Sequence, residues 1–176
     1  MFFARTIITL LVLLSTSLAF AKDQVPYATQ VNDLMRYYRV SPQIATSGAL
    51  THDSIQELVK HSFNTVIDLR IESEGTPNEK KAVEAAGMTY INIPITNDGV
   101  NESQLTAFKR VLEQASPPFL VHCATGNRAG AMWTAYRLKE GISPEIALKE
   151  GRAAGMNAGM EEKIKKYWCA RVEGGC

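Results

Sequence analysis

The segment Phe119–Gly130 (FLVHCATGNRAG) is the part of the sequence from which the fold and the chemistry of this chain are best inferred. It begins with an apolar run that predicts a buried strand ending at Cys123, and a helix is predicted from Ala129 onward. The glycine-containing loop between them carries Arg128, five positions after the cysteine. A helix N-terminus and a nearby cation both favour the thiolate form of a cysteine, and the same N-terminus attracts anions. We therefore predict that Cys123 faces a bound oxyanion.

The residue types of this loop suit the attack of sulfur on phosphorus. The planar guanidinium of Arg128 can hold two oxygens of a phosphoryl group, and Gly126 permits a loop in which successive amides point inward. The predicted reaction is an in-line attack by Cys123 that gives a thiophosphoryl intermediate, which water later hydrolyses. His122 is predicted to support the loop by bonding its backbone. The alternative is that Cys123 is a buried structural residue, as free cysteines commonly are.

Cleavage of a phosphate ester also needs a proton for the leaving oxygen. Asp98 lies in a loop just past a predicted strand, and neighbouring parallel strands end at one edge of a sheet, so this loop can overhang Cys123. Asp98 and Gly99 are also an ordinary turn pair, and that interpretation stays open. Glu72 and Glu74, on another loop at the same edge, are weaker candidates for the acid and are more often solvated charges.

Strands and helices alternate along the rest of the chain. Short β-branched runs predict strands, and capping residues before an apolar period of 3.6 residues predict the starts of helices. The predicted strands are Ile44–Gly48, Phe63–Leu69, Met88–Ile95 and the run ending at Cys123; the predicted helices follow Thr51, Thr76, Asn101 and Ser143, with others at Ala129–Lys139 and Met160–Trp168. Thr76 and Glu79 have the spacing of a capping box. This alternation predicts the α/β class, with a mostly parallel central sheet and helices on both faces.

Residues 1–21 have the pattern of a secretory signal peptide. Arg5 provides a positive start, Thr6–Leu14 is apolar, and Ala19-Phe20-Ala21 is a small-x-small cleavage site. The apolar stretch is shorter than the about 20 residues of a membrane-spanning helix, although an uncleaved anchor is the alternative. We expect cleavage after Ala21, export to a periplasm without stable membrane insertion, and a single domain formed by residues 22–176.

The charge balance of residues 22–176 argues against nucleic acid or an anionic membrane surface as a partner. Arg5 is the only charged residue before Lys22, so the later part of the chain carries 18 basic and 18 acidic side chains. No broadly basic surface is predicted from this balance. A phosphate site must therefore depend on local geometry.

The chain has three cysteines, an odd number for an exported protein. Cys169 and Cys176 are close in sequence, and in an oxidising compartment they can form a disulfide that leaves Cys123 as the free thiol. The alternatives are three unpaired cysteines, or pairing of Cys176 between two chains.

The motifs described above, in their order, resemble a known family. Residues from about Ser41 to Met156 are similar to the phosphatase-like domain of beta-lactamase hydrolase-like proteins, which are bacterial relatives of dual-specificity protein tyrosine phosphatases. The matching motifs are 45–48 (ATSG), 65–70 (TVIDLR) with Glu72 and Glu74, 86–94 (AGMTYINIP) and 122–128 (HCATGNR).

The resemblance implies a fold like that of the dual-specificity phosphatases and a role for each site residue. Cys123 becomes the nucleophile, Arg128 the phosphate clamp and Asp98 the natural candidate for the general acid. The phosphate cradle would be formed by the backbone amides of Ala124, Thr125, Gly126 and Asn127. The implied substrate is a phosphorylated protein or small molecule, and neither a metal nor another cofactor is implied.

Two features depart from the usual pattern of these phosphatases. Four residues separate Cys123 from Arg128, where five are usual, and Ala129 stands where Ser or Thr is usual. The beta-lactamase hydrolase-like family shares the shorter loop. The same Cys-x4-Arg spacing is also typical of rhodanese sulfurtransferases, in which the cysteine carries a persulfide. A cysteine-dependent phosphatase is therefore the first hypothesis, a rhodanese-like sulfurtransferase the second, and a non-catalytic phosphoanion-binding module the third.

Overall fold

The computed structural model of the chain describes residues 31, 33–171 and 175–176. The predicted signal peptide, residues 1–21, lies outside the described residues. Within the described part, none of the helices combines the length and the apolar character that a membrane crossing requires.

Five strands form one mixed sheet with the spatial order β1-β2-β5-β3-β4. Strand β1 is antiparallel to β2, and the pairs β2–β5, β5–β3 and β3–β4 are parallel. The strands are β1 Tyr38–Arg39, β2 Ile44–Ser47, β3 Thr65–Asp68, β4 Thr89–Asn92 and β5 Phe119–His122. The strand that leads to Cys123 therefore lies in the centre of the sheet.

Helices cover both faces of this sheet, as the sequence predicts. They are α1 His52–Lys60, α2 Thr76–Ala85, α3 Glu102–Gln114, α4 Asn127–Lys139, α5 Pro144–Ala153 and α6 Ala158–Trp168, with short 3-10 turns at Glu72–Glu74 and Cys169–Arg171. Along β5 the side chains alternate between two cores: Phe119 and Val121 pack with α3, α4, α5 and α6, while Leu120 packs with α1 and α2. This alternation follows from the two-residue period of a strand that is buried on both faces. The α/β fold class is confirmed.

The parallel register brings the carboxyl ends of the strands to one edge. His122 on β5 lies between Ser47 on β2 and Asp68 on β3, and Asp68 in turn faces Asn92 on β4. Every loop that leaves these four strands therefore begins at the same edge, which is where open parallel sheets bind their ligands.

The start of α2 differs from the prediction. Thr76 is the first helical residue and not the cap, because Gly75 takes the N-cap position with φ 93° and makes no side-chain capping bond. Glu79 consequently forms no capping box; its carboxylate points into the protein, where it contacts Arg70 and His122. The capping-box prediction was wrong because the spacing fits the local pattern, whereas the carboxylate is drawn into the interior by the buried guanidinium of Arg70, a stronger partner than one backbone amide.

Helices α4 and α5 approach each other closely through two glycines. A Cβ atom on Gly130 would lie 2.5 Å from the carbonyl oxygen of Gly151 and 2.7 Å from the amide nitrogen of Met156. Both are backbone atoms, so neither can rotate out of the way as a side chain can. The first turns of α4, which follow the cysteine loop, are thereby fixed against the α5–α6 connection.

Replacing Gly130 with alanine is expected to lower the free energy of unfolding by about 1–3 kcal/mol, because the added methyl group must push two backbones apart. Urea unfolding followed by circular dichroism measures the change. Gly159→Ala is the matched control: this glycine is exposed on α6 and a Cβ there would meet only Asn157 Oδ1 at 3.6 Å. The control should gain up to about 1 kcal/mol from helix propensity; equal losses in both variants would contradict the close packing of α4 on α5.

Candidate active site

Cys123 is the residue directly after β5 and is fully buried at the edge where the parallel strands end. The loop that follows it is fastened to the end of β2. The amide of Ala49 donates to the carbonyl of Ala124 at 3.1 Å, and Gly48 forms a β-bridge with Thr125. The loop position is therefore fixed by the sheet itself.

Gly126 turns the chain from this loop into α4. Its φ of 84° lies in the left-handed region, which glycine adopts without steric cost, and it is the N-cap of the helix. Helix α4 begins at Asn127, two residues earlier than predicted, so that Arg128 lies in its first turn. The side chain of Asn127 accepts a hydrogen bond from the amide of Asn157 at 2.9 Å, which ties the helix start to the α5–α6 connection. The helix N-terminus thus lies immediately beyond Cys123, as the sequence predicts.

Arg128 is mostly buried and is held on two sides. Its two terminal nitrogens donate to the two carboxylate oxygens of Glu74 at 2.7 and 2.6 Å, and Nη1 also donates to the carbonyl of Ile95 at 3.0 Å. The hydrogen bond to Glu74 raises the pKa of Arg128 most, burial opposes it, and the nearby side chain of Cys123 raises it further. The guanidinium therefore lies beside the cysteine with its orientation fixed.

Glu74 has a different role from the one expected of it. Sequence reasoning treats it as a solvated loop charge or a weak acid candidate, but it forms a bidentate pair with Arg128 and accepts a hydrogen bond from the amide of Ile71 at 2.9 Å. The hydrogen bond from Arg128 lowers the pKa of Glu74, although partial burial opposes this. A carboxylate with a lowered pKa is a poor proton donor. The only sequence signal was its place in a loop at the carboxyl edge, which Glu72 shares while remaining exposed.

Asp98 lies in the exposed loop after β4 and is bonded within that loop. Its carboxylate accepts a hydrogen bond from the hydroxyl of Thr96 at 2.8 Å, and its own amide donates to the same hydroxyl. Among the described residues, no hydrogen bond joins Asp98 to Cys123 or Arg128. The loop nevertheless starts beside the site, because the Ile95 carbonyl that precedes it binds Arg128.

A cluster of buried polar side chains lies beneath the loop. Asp68 accepts hydrogen bonds from Arg70 and, at 2.7 Å, from the hydroxyl of Tyr90. Arg70 also pairs with Glu79 at 2.6 Å, and Glu79 Oε1 lies 2.8 Å from Nε2 of His122. These side chains come from β3 and the loop after it, β4, β5 and α2, so the cluster joins the central strands to a helix.

His122 faces this cluster and not the loop backbone, which corrects the predicted bonding. Its imidazole is fully buried, and neither ring nitrogen makes a hydrogen bond with good geometry among the described residues, although Nε2 lies 2.8 Å from Oε1 of Glu79. The side chain of a residue on β5 alternates with its neighbours, so His122 points to the face of the sheet that carries Glu79 on α2. Its contacts within the cluster are with the carboxylates of Glu79 and Asp68.

Three potential metal ligands meet in the same cluster, because atoms of Asp68, Glu79 and His122 all lie within 4.8 Å of one another. The guanidinium of Arg70 already pairs with both carboxylates, through Asp68 Oδ2 and Glu79 Oε2, and so compensates negative charge that a metal ion would require. The donor set therefore forms a charge-paired network and does not fit a metal site.

The network changes the proton affinity of its members. Burial acts to raise the pKa of Asp68. The hydrogen bonds from Arg70, the electrostatic effect of His122 and the hydrogen bond from Tyr90 together lower it by more, so the pKa lies below its ordinary value. Burial, with the bond to Asp68, raises the pKa of Tyr90 far above its usual range. Burial lowers the pKa of Arg70, but Asp68 and Glu79 raise it more.

The other two cysteines lie apart from this site. Cys169 and Cys176 are joined by a disulfide after α6, and Cys123 is the free cysteine of the described residues. The indole of Trp168, next to the disulfide, donates to the carbonyl of Val100 at 2.9 Å. The end of the chain is thus fastened to the segment that follows the Asp98 loop.

A profile of the family described as "DSP-PTPase phosphatase fused to NAD+ Kinase" matches residues 17–167. Among curated proteins, the beta-lactamase hydrolase-like protein of Xylella fastidiosa is 27% identical over 142 residues, which cover 78% of this chain and 32% of that protein. The chain therefore spans about a third of the length of the curated relatives it matches. The family resemblance drawn from the sequence is confirmed.

Solved structures share the fold. A candidate phosphatase from Neisseria meningitidis superimposes with a TM-score of 0.67 at 24% identity, covering 75% of this chain and 98% of its own. TpbA from Pseudomonas aeruginosa, solved in complex with pTyr, gives a TM-score of 0.65 at 20% identity and covers 88% of this chain and 93% of its own. At these identities the likeness concerns the fold.

The lowered pKa of Asp68 predicts how stability depends on pH. Because its folded-state pKa lies below the unfolded value of about 3.9, its contribution is present above that value and is lost as the pH falls through the folded-state pKa. We expect Asp68→Asn to lose about 3 kcal/mol or more at pH 7, since a buried pair is broken, and to lose less further stability than the wild type between pH 5 and pH 2.

Urea unfolding of both proteins across this pH range measures the difference. Glu113→Gln, at an exposed position on α3, is the control and should follow the wild type within about 0.5 kcal/mol. Parallel acid profiles for Asp68→Asn and the wild type would show that the carboxylate is not held in its charged form by the cluster.

Proposed function

This chain belongs to the family described as DSP-PTPase phosphatase fused to NAD+ kinase, and on that premise we propose that it is a cysteine-dependent phosphatase acting on phosphomonoesters. The observation that carries the proposal is the guanidinium of Arg128, fixed by Glu74 and Ile95 beside the buried thiol of Cys123. A cysteine at a helix N-terminus next to an oriented arginine is suited to attack a phosphoryl group whose oxygens the arginine holds.

In the proposed first step, the Cys123 thiolate attacks phosphorus in line with the ester bond. The sulfur–phosphorus bond forms as the phosphorus–oxygen bond breaks, and the leaving alkoxide or phenoxide takes a proton from Asp98. In the second step, water attacks the thiophosphoryl group, gives its proton to the Asp98 carboxylate, and releases inorganic phosphate and the thiolate. The N–H groups of Ala124–Asn127, with Arg128, would stabilise the charge that develops on the phosphoryl oxygens.

Glu74 would act in this scheme by setting the plane of the arginine. Both of its oxygens bind the terminal nitrogens of Arg128, and a bidentate pair fixes the orientation of the guanidinium as well as its position. The N–H groups that do not face Glu74 or Ile95 remain for the phosphoryl oxygens. Pre-orientation of this kind saves the entropy that a free arginine would lose on binding the substrate.

Asp98 is proposed as the acid although it is bonded to Thr96. The Thr96 hydroxyl holds the carboxylate inside an exposed loop whose first carbonyl already contacts Arg128. A small movement of this loop on substrate binding would bring the carboxyl group over the leaving oxygen, and catalytic hydrogen bonds often form only in the substrate complex. We further propose that the substrate is phosphotyrosine or a similarly accessible phosphate, since the related fold of TpbA was solved with pTyr, and that the enzyme is exported to the periplasm.

A second candidate function is sulfur transfer of the rhodanese type. The specific observation in its favour is the four-residue spacing between Cys123 and Arg128, followed by Ala129, which offers no hydroxyl to the departing sulfur. Such a reaction would keep a persulfide on Cys123 and would need no general acid. A non-catalytic phosphoanion-binding module is the third candidate.

Hydrolysis of p-nitrophenyl phosphate and thiosulfate-to-cyanide transfer, assayed side by side, separate these candidates. We expect ester hydrolysis in the wild type, and a loss of about 1,000-fold or more in Cys123→Ser because the nucleophile is removed. Activity that survives in Cys123→Ser would contradict both enzyme proposals. Binding of vanadate to a wild type that turns over neither substrate would leave the third candidate.

Asp98→Asn is expected to slow hydrolysis of O-phosphotyrosine by about 100-fold or more, because an amide cannot supply the proton. The effect on p-nitrophenyl phosphate should be smaller, since nitrophenolate leaves readily without protonation, and sulfur transfer should be unchanged. Asp53→Asn, at an exposed aspartate on α1, is the matched control. An equal loss on both esters would mean that Asp98 supports the loop and does not donate the proton.

A further inference from the structure

Arg36 is an exposed arginine whose side chain reaches the cysteine loop. Its Nη1 donates to the carbonyl oxygen of Thr125 at 3.1 Å, across a sequence separation of 89 residues. The guanidinium has five N–H donors, and this bond uses one of them. Among the described residues, no carboxylate lies within ion-pair distance of Arg36. At the outer edge of the loop its positive charge therefore has no ion-pair partner within the described part of the chain.

The backbone around Arg36 is held in a costly conformation. Arg36 has φ 53° and Asp33 has φ 64°, both in the left-handed region that non-glycine residues seldom adopt. The turn is fixed because the amide of Gly48 donates to the carbonyl of Met35 at 2.7 Å, and because Leu34 is buried against the core. Residues in such conformations cluster at binding and catalytic sites, where the surrounding structure holds them in place.

The position of the cysteine loop does not depend on Arg36. The amide of Ala49 binds Ala124, and Gly48 pairs with Thr125, so the end of β2 already fixes both residues of the loop. Removing a single exposed hydrogen bond from a segment held in this way should leave its position unchanged. The arginine is therefore available for another purpose.

The charges of the site point to that purpose. Glu74 neutralises Arg128, and the Cys123 thiolate would add a negative charge of its own. The dipole of α4 supplies only about half a positive charge at its N-terminus. The loop amides and Arg128 are directed at the scissile phosphate, so a second anionic group on the substrate would meet no further positive charge from these groups. Arg36 is exposed and bonded to the loop, so its guanidinium can bind such a second group.

We propose that Arg36 forms a second anion subsite at the edge of the cysteine loop, which binds an additional carboxylate or phosphate of a substrate whose scissile phosphate lies in the loop. This proposal rests on the proposed phosphatase function and narrows it to multiply anionic phosphoesters, such as phosphotyrosine flanked by acidic groups. Because the guanidinium is exposed, its contribution depends on ionic strength. The subsite selects among substrates and takes no part in the bond-breaking step.

The test compares substrates with and without the second anion, using wild type and Arg36→Gln. The substrates are p-nitrophenyl phosphate and three phosphotyrosine peptides that differ only in their flanking residues: alanine, aspartate or a second phosphorylated residue. We expect Arg36→Gln to raise KM for the anionic peptides about five- to tenfold at low salt, with kcat unchanged. Both kinetic constants for p-nitrophenyl phosphate should stay as in the wild type. Comparison of the aspartate-flanked peptide with the doubly phosphorylated peptide shows whether the subsite prefers a carboxylate or a phosphate.

Lys109→Gln, at a cation paired with Glu140, is the control and should alter no substrate. Arg36→Lys should restore part of the preference, because it keeps the charge but loses the planar fork. A uniform loss on all four substrates would show that Arg36 only props the loop, and no change on any of them would show that it binds nothing. Either result overturns the subsite.

Binding separates a failure of the subsite from a failure of the proposed function. Cys123→Ser is titrated calorimetrically with inorganic phosphate and with pyrophosphate, with and without Arg36→Gln. Tighter binding of pyrophosphate that depends on Arg36 supports the subsite even if the wild type hydrolyses no ester, in which case only the phosphatase proposal fails. Equal affinities with and without Arg36, or no binding of either anion, overturn the subsite.

Discussion

A buried ion network beneath the cysteine loop is the constraint on which the arrangement of the site depends. Asp68 and Glu79 place two carboxylates in the interior, where an unpaired charge would cost several kcal/mol. Arg70 contacts both, and His122 lies against Glu79. Asp68 and Arg70 are two residues apart in the chain and can pair locally, but Glu79 finds its partners only when α2 packs against β3 and β5. The network therefore couples the packing of α2 to the position of the residue that precedes Cys123.

The second ion pair, between Arg128 and Glu74, lies nearer the sulfur of Cys123 and has a different effect. It is partly exposed, so its contribution to stability is small, but its bidentate geometry sets the direction of the guanidinium. The same pair removes the net positive charge that a phosphate would need. In the proposed phosphatase, the arginine is oriented at the expense of electrostatic attraction, and the proposed subsite at Arg36 would provide a separate positive charge for a second anionic group.

Much of the architecture could be predicted because local patterns and tertiary packing agree. The parallel sheet, the helices on both faces and the strand leading to Cys123 follow from β-branched runs alternating with capped amphipathic segments. The two-residue strand β1 was missed, since Tyr38 and Arg39 show no periodic pattern and pair only because β2 offers its edge. The capping box at Thr76 was wrong for a related reason: Glu79 satisfies the local spacing, but its partners lie far away in the sequence.

By itself the sequence determined the nucleophile candidate, the arginine and, to within two residues, the start of the helix, because all three lie within one short segment. Only the tertiary structure decided which charges meet that segment. Glu74 is 54 residues from Arg128 in the chain and Arg36 is 89 residues from Thr125. Contacts between residues so far apart produce no pattern that can be recognised in the sequence. Glu74 meets Arg128 because parallel strands end at one edge and bring their loops together there. Arg36 reaches Thr125 because β1 is antiparallel to β2, so that the start of β1 lies beside the end of β2. The residues of the cysteine loop are adjacent in the sequence, whereas the charges around the loop are brought to it only by the tertiary fold.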